Sequence, residues 1–316
     1  MKKHFEVLDG WRGYSILMVL AGHLFPLGFS GWEMNFTVAA TGMAVFFVLS
    51  GFLITTILLN HQSPGRFLIR RLARVLPIAW LVLLIVFVFF DTTSYQKIST
   101  LFFFANWPPF GLFTGVTHFW SLCVEVQFYL LVALSVWIIK DKTFNLLIYL
   151  CIAITLNRYF NGVEIAINTY YRLDEILAGC LLAMVYRKGE TRLSSLIAKA
   201  NPLIMVPLLI ASCHPELSQL NYFRPYIAAI TIGYTLYVTK DHWVYPLLTD
   251  RKIVYIASIS YAVYVFHGVL VHTWLGEGET LVKYLKRPLL LAVTIGLAHL
   301  STRYFEQYWI AKARKF

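Results

Sequence analysis

Eleven apolar blocks decide what this chain can become. They run roughly over 13–29, 38–59, 72–90, 98–105, 119–139, 143–157, 169–186, 201–213, 226–239, 253–275 and 288–308 of its 316 residues. Most are about 15–25 residues long, enough to cross a hydrocarbon core as helices, which satisfy their own backbone polar groups in lipid. The chain is 59% hydrophobic and only 14% charged, whereas soluble domains run near one-quarter charged. The pattern predicts an all-α, polytopic transmembrane helical bundle. The block 98–105 is too short to span. With its exit at Trp107-Pro108-Pro109 it reads as a re-entrant or interfacial element, which leaves about ten spans.

Lys and Arg set the expected orientation. With the N-terminus in the cytoplasm, the inner segments hold Lys2, Lys3, the Arg66–Arg74 run, Lys140, Lys142, Arg187 and Lys188, among others. The outer segments hold Lys97, Arg158, Arg172, Arg224, Lys283, Lys286 and Arg287. Both termini are therefore expected in the cytoplasm. If 98–105 crossed, every later loop would invert and the asymmetry would largely vanish. No polar linker, repeat or low-complexity segment divides the chain, so 1–316 reads as a single membrane domain, with no soluble catalytic domain appended after Glu306.

The net charge of +11 sits in loops between spans, which fits topology signalling rather than nucleic-acid binding. The four cysteines, Cys123, Cys151, Cys180 and Cys213, lie in apolar segments without a CxxC or a Cys/His cluster. No metal site or disulfide framework is expected. Glu6 and Asp9 interrupt the basic start, so it reads as an uncleaved first helix, not a signal peptide.

Ionisable residues inside spans are functional candidates by default. Arg12 and His23 lie eleven positions apart in WRGYSILMVLAGHLFP. On a helix that is three turns plus about 20°, so they share a face roughly 16 Å apart along the axis. His23, expected deep in the span, suits a general base or a transient acyl carrier; the bland alternative is a packing residue. Ser50-Gly51 reads mainly as a notch for another backbone, and Ser50 lacks an adjacent base.

In GRFLIRRLARVLP, Arg71 and Arg74 are spaced i, i+3, with Arg70 and Arg66 nearby. Beside a helix N-terminus they suit the phosphates of a nucleotide-containing donor, although topology or lipid head groups also explain such a run. Glu125 sits below Trp120, with Ser121 and Tyr129 at i−4 and i+4. It either pairs with a cation to hold helices together or orients His23. Arg172, Asp174 and Glu175 crowd one helix start, where they cap and pair or line the way in for a hydroxylated acceptor. Ser260, Tyr264 and His267 share a face of the 253–275 block; core hydrogen bonding and substrate contact are both open there.

Taken together, Arg-x10-His, FFVLSGFLIT, Arg-x-x-Arg, FWSLCVEVQFYL and SYAVYVFH, in that order, resemble the acyltransferase-3 family of integral membrane O-acyltransferases, mostly bacterial. The resemblance implies about ten spans and transfer of an acyl group, usually acetyl, from cytosolic acyl-CoA to a hydroxyl of a glycan or lipid-linked glycan. It implies no permanently bound cofactor, only acetyl-CoA or another acyl-CoA as co-substrate, and places the chain in a bacterial inner membrane among lipids. Arg12 and His23 then match the family's essential pair, with His23, Glu125 and Arg12 catalytic. Arg71 and Arg74, with Arg70, match the donor-binding arginines. Arg172, Asp174, Glu175, Tyr264 and His267 are assigned to the acceptor side. The ending RYFEQYW departs from the usual one, where proline follows the Glu, which leaves any role for Glu306 in doubt. Some relatives carry an extracytoplasmic esterase-like domain; without one, this chain is expected to finish the transfer itself or pass the acyl group to a partner. The expected mechanism docks acyl-CoA from the cytoplasm, the thioester entering a cavity bounded by spans one, three and five. A proton-coupled transporter or flippase for a lipid-linked sugar is the competing class. It calls for paired discontinuous helices in two related halves, a symmetry the sequence does not display.

Overall fold

The computed structural model describes residues 5–29, 31–60 and 63–316; Lys2 and Lys3 of the charge argument lie outside them. Among the described residues there are helices and turns and no strand. In order they are α1 Glu6–Leu24, α2 Met34–Leu59, α3 Pro64–Phe89, α4 Ser94–Leu101, α5 Trp120–Ile139, α6 Lys142–Phe160, α7 Thr169–Arg172 and α8 Asp174–Lys188. There follow α9 Arg192–Ala198, α10 Pro202–Ala211, α11 Ser218–Asn221, α12 Arg224–Thr235, α13 Val244–Leu248, α14 Arg251–Leu270, α15 Thr280–Leu300 and α16 Gln307–Ala313. A 3₁₀ turn, Thr117–Phe119, leads into α5, and a π turn, Ser301–Glu306, joins α15 to α16.

Five segments are long and apolar enough to cross a membrane: α2, α3, α5 with its 3₁₀ turn, α6, and Val244–Leu270. The helices α9 and α10 join them only as one pair bent by 90°. The remaining expected crossings are shorter or more charged: α1 carries Glu6, Asp9 and Arg12, and α15 carries Lys283, Lys286 and Arg287. Large apolar side chains stand exposed along the spans, as lipid-facing residues do, including Leu84, Val88 and Phe89 of α3 and Trp137 of α5. The chain is an integral membrane protein by its helices.

The chain forms two compact units. The first is built from the described parts of Met1–His61, Phe144–Ala166 and Tyr171–Ser258. Its axis is α2, which packs along both α1 and α8. Two glycines allow the second of these contacts. A Cβ on Gly51 would stand 1.8 Å from Ile176 O, and one on Gly179 2.0 Å from Val48 O. The notch read at Ser50-Gly51 is therefore a backbone crossing. Gly51→Ala must push α2 and α8 apart and should cost about 1–3 kcal/mol or more. Gly296→Ala, with nothing within 4 Å of the added methyl, is the matched control. Thermal unfolding of both variants in detergent checks this, and equal midpoints would refute the crossing.

The first helix departs from the apolar block that announced it. It starts at Glu6, with Glu6 and Asp9 in its first turn, where carboxylates favour the positive helix end. It stops at Leu24, because Phe25 precedes Pro26 and is held extended (φ −119°, ψ 150°). His23 thus lies in the last turn of α1 and is exposed, not deep within the helix as expected. Arg12 is half-buried nearly two turns into the same helix.

The second unit comprises the described part of Gln62–Thr143, together with Ile167–Tyr170 and Ile259–Phe316. Ser63 caps α3 by accepting from Arg66 N, and Pro64 occupies the first helical position. The short block is α4, closed by a capping box between Thr93 and Gln96. Its eight residues rise only about 12 Å, well under a membrane thickness. The loop after α4 hangs on Gln127, whose Nε2 donates to Phe103 O at 2.7 Å and to Asn106 Oδ1 at 2.9 Å. Trp107 Nε1 donates to Gln127 Oε1 at 2.9 Å.

Candidate functional site

The second unit brings the arginine motif and Glu125 together. Because α3 begins at Pro64, Arg66, Arg70, Arg71 and Arg74 fall in its first three turns. The unpaired N–H groups of that helix end already favour an anion. Arg66 is exposed, and Arg70, Arg71 and Arg74 are half-buried. The Arg71 guanidinium lies 6.0 Å over the Phe67 ring, one turn back, and interacts electrostatically with Tyr129 and Glu125 of α5. Tyr129 donates onward to Glu125 Oε1 at 2.5 Å. Cation, phenol and carboxylate are thereby linked through a pair spaced i, i+4 on α5. Glu125 and Tyr129 are both buried, a costly placement without such partners.

Two further residues complete this arrangement: Tyr261, not singled out in the sequence, and Glu306, named there without an assigned role. Tyr261 of α14 donates to Val75 O at 2.6 Å, tying α14 to the arginine helix. Glu306, the residue of the atypical ending, is buried in the π turn and accepts from Thr302 Oγ1 at 2.8 Å. It feels the charge of Arg74. A π turn widens the helix and re-aims one residue, and such turns recur at functional sites. A lone carboxylate in the last apolar block was the available signal.

A second polar group occupies the N-terminal end of α5. Tyr264 donates to His118 O at 2.5 Å, and its hydroxyl lies 2.6 Å from Ser121 Oγ. With the phenol hydrogen given to a carbonyl, Ser121 is the donor in the 2.6 Å contact. His267 Nδ1 donates to Tyr264 O at 2.6 Å, and its ring stands 5.2 Å from that of His118. His118 stands just ahead of the FWSLCVEVQFYL motif and was not among the sequence candidates. Gly268 makes room for it: a Cβ there would lie 2.2 Å from His118 Nδ1.

In the first unit, Arg172, Asp174 and Glu175 do more than cap a helix. Arg172 Nη1 meets Glu175 Oε1 at 3.0 Å, and Arg224 Nε meets the same oxygen at 2.6 Å. Arg158 pairs with Asp174 and also donates to Glu164 O at 2.8 Å. All five charged residues are buried. Arg158, Arg172 and Arg224, counted among outer-loop charges in the sequence, are thus interior groups. Arg172 also lies 5.7 Å over the Phe47 ring, and Arg158 5.6 Å over that of Tyr222.

The sequence comparisons decide the family. The acyltransferase domain of the acyltransferase-3 family matches residues 5–301. The chain belongs to the acyltransferase-3 family. Its relatives include the peptidoglycan O-acetyltransferase OatA of Listeria monocytogenes, 26% identical over 96% of this chain and 56% of that protein. Another is a Bacillus subtilis protein, YrhL, named provisionally as a peptidoglycan O-acetyltransferase. It is 27% identical over 84% of this chain and 48% of its own length. The chain spans about half the length of these curated relatives. No solved structure matches it. As a family member the chain carries its quoted motifs on two different units: Arg12 and His23 on the first, the arginine run and Glu125 on the second.

Proposed function

We propose that this acyltransferase-3 protein is a membrane O-acyltransferase that moves an acyl group, acetyl in the first instance, from cytosolic acyl-CoA to a hydroxyl of a cell-envelope glycan. The observation that carries the reading is the Arg71–Tyr129–Glu125 chain at the N-terminal end of α3, in a chain of this family. Half-buried arginines at a positive helix end suit the phosphates of CoA, where a planar guanidinium binds in bidentate fashion. Tyr129 and Glu125 hold Arg71 in that role. His23 then takes the acceptor's proton or carries the acyl group, and Arg12 counters the charge that develops. Neither route requires a bound cofactor.

The acceptor class follows from the names of OatA and YrhL and is assigned as peptidoglycan or a related glycan. Of the residues on the acceptor side, Arg172, Asp174, Glu175 and His267 are buried and paired or hydrogen-bonded. We assign Arg172, Asp174 and Glu175 to holding the first unit's part of the acceptor side in shape, and His267, bonded to Tyr264 O, to the second unit's part. The topology proposed is ten crossings with both termini cytoplasmic, in a bacterial inner membrane, the whole chain acting as one catalytic domain. Arg71→Ala combined with Arg74→Ala should weaken acetyl-CoA binding at least tenfold, since each charge-assisted contact is worth about 1.5–3 kcal/mol. Titration of the purified protein with acetyl-CoA tests this, and an unchanged Kd would remove the donor clamp.

A further inference from the structure

We propose that Asn35 is a positioning residue for His23, an inference that rests on the role given to His23 above. The need for it is created by Pro26. In a regular helix the carbonyl of residue 22 accepts from the N–H of residue 26, four positions on. Proline has no N–H, so the Gly22 carbonyl loses its partner within the helix. That carbonyl belongs to the peptide group whose nitrogen is His23's own.

Asn35, in the first turn of α2, supplies the missing donor. Its Nδ2 donates to Gly22 O at 2.7 Å and to Phe25 O at 2.5 Å. Its Oδ1 accepts from Leu27 N at 3.0 Å. Two carbonyls and one N–H fix the orientation of the amide without ambiguity, because carbonyls only accept and N–H groups only donate. The backbone on both sides of His23 is thus clamped by one side chain. The approach is close enough that a Cβ on Gly22 would lie 2.4 Å from Asn35 O.

Such a clamp has no partner in common with the donor arginines, so its effect belongs to the placement of the imidazole. A misplacement of about 1 Å in a reacting group costs on the order of 10²-fold in rate. Asn35→Asp keeps the shape and the acceptor but deletes both donors. In purified protein with acetyl-CoA and an artificial alcohol acceptor, it should lower kcat about 10–100-fold while KM for acetyl-CoA stays within about twofold.

The decisive variant restores the donor by another route. Pro26→Ala returns a backbone N–H at the position that can serve Gly22 O, so Asn35→Asp with Pro26→Ala should recover at least about threefold of the lost rate. A fall in kcat accompanied by recovery supports the clamp. Unchanged kcat, a rise in KM alone, or no recovery in the double variant overturns it. If Asn35→Asp fails to accumulate in membranes, Asn35→Ser is read in the same pair of measurements. Full activity in His23→Ala would instead remove His23 from the reaction, a result read in that variant alone and independent of Asn35.

Discussion

His23→Ala is expected to lower acyl transfer about 10²–10⁴-fold, the range that a positioned general acid–base group contributes. The argument is chemical and local. A hydroxyl is a poor nucleophile near neutral pH until its proton is accepted, and imidazole is the side chain whose ordinary titration range suits that task. His23 lies exposed in the last turn of α1, where its ring is accessible to a substrate rather than sealed in the core. Acetyl-CoA affinity should stay close to that of the unsubstituted protein, because Arg71 and Arg74 are untouched. The measurement is transfer of labelled acetyl by purified protein, with membrane insertion confirmed separately. Wild-type turnover would exclude His23 as base and as acyl carrier together.

The second large effect concerns stability. Glu175→Gln should destabilise the first unit by about 3–5 kcal/mol, the cost of leaving buried charge uncompensated. One carboxylate oxygen serves both Arg172 and Arg224, at 3.0 and 2.6 Å. Removing its charge leaves two guanidinium groups facing a neutral amide. Asp174→Asn should cost less, because Arg158 keeps the carbonyls of Glu164 and Val163, at 2.8 and 3.3 Å. The order of unfolding midpoints in detergent, wild type above Asp174→Asn above Glu175→Gln, checks both statements. Equal midpoints for the two variants would show that Glu175 does not carry the pair of arginines.

Much of this molecule is written in local sequence. Apolar runs at 38–59, 72–90 and 119–139 became α2, α3 and α5, since lipid forces such runs to be helical. Arg71, Arg74 and Glu125 were legible for a similar reason: an expensive residue in an apolar run needs a partner or a purpose. The misses have a common physical origin. The start of α1 at Glu6 was hidden because backbone hydrogen bonding is indifferent to hydropathy, whereas the apolar block began at 13. Arg158 and Arg224 passed for loop charges because their partners, Asp174 and Glu175, lie 16 and 49 positions away. His118 and Tyr261 gain their meaning from neighbours on other helices, which no spacing within one segment discloses. Asn35 is legible only once Pro26 is known to end α1.

The way each unit is threaded through the chain bears on biosynthesis. Neither is a continuous stretch: the second draws on residues before Thr143 and again after Ser258. During translation, α3 is therefore delivered to the bilayer long before Tyr261 and Glu306 exist. Until Glu125 and then Glu306 follow, the arginines of α3 have anionic phospholipid head groups at the membrane surface as their nearest opposite charges.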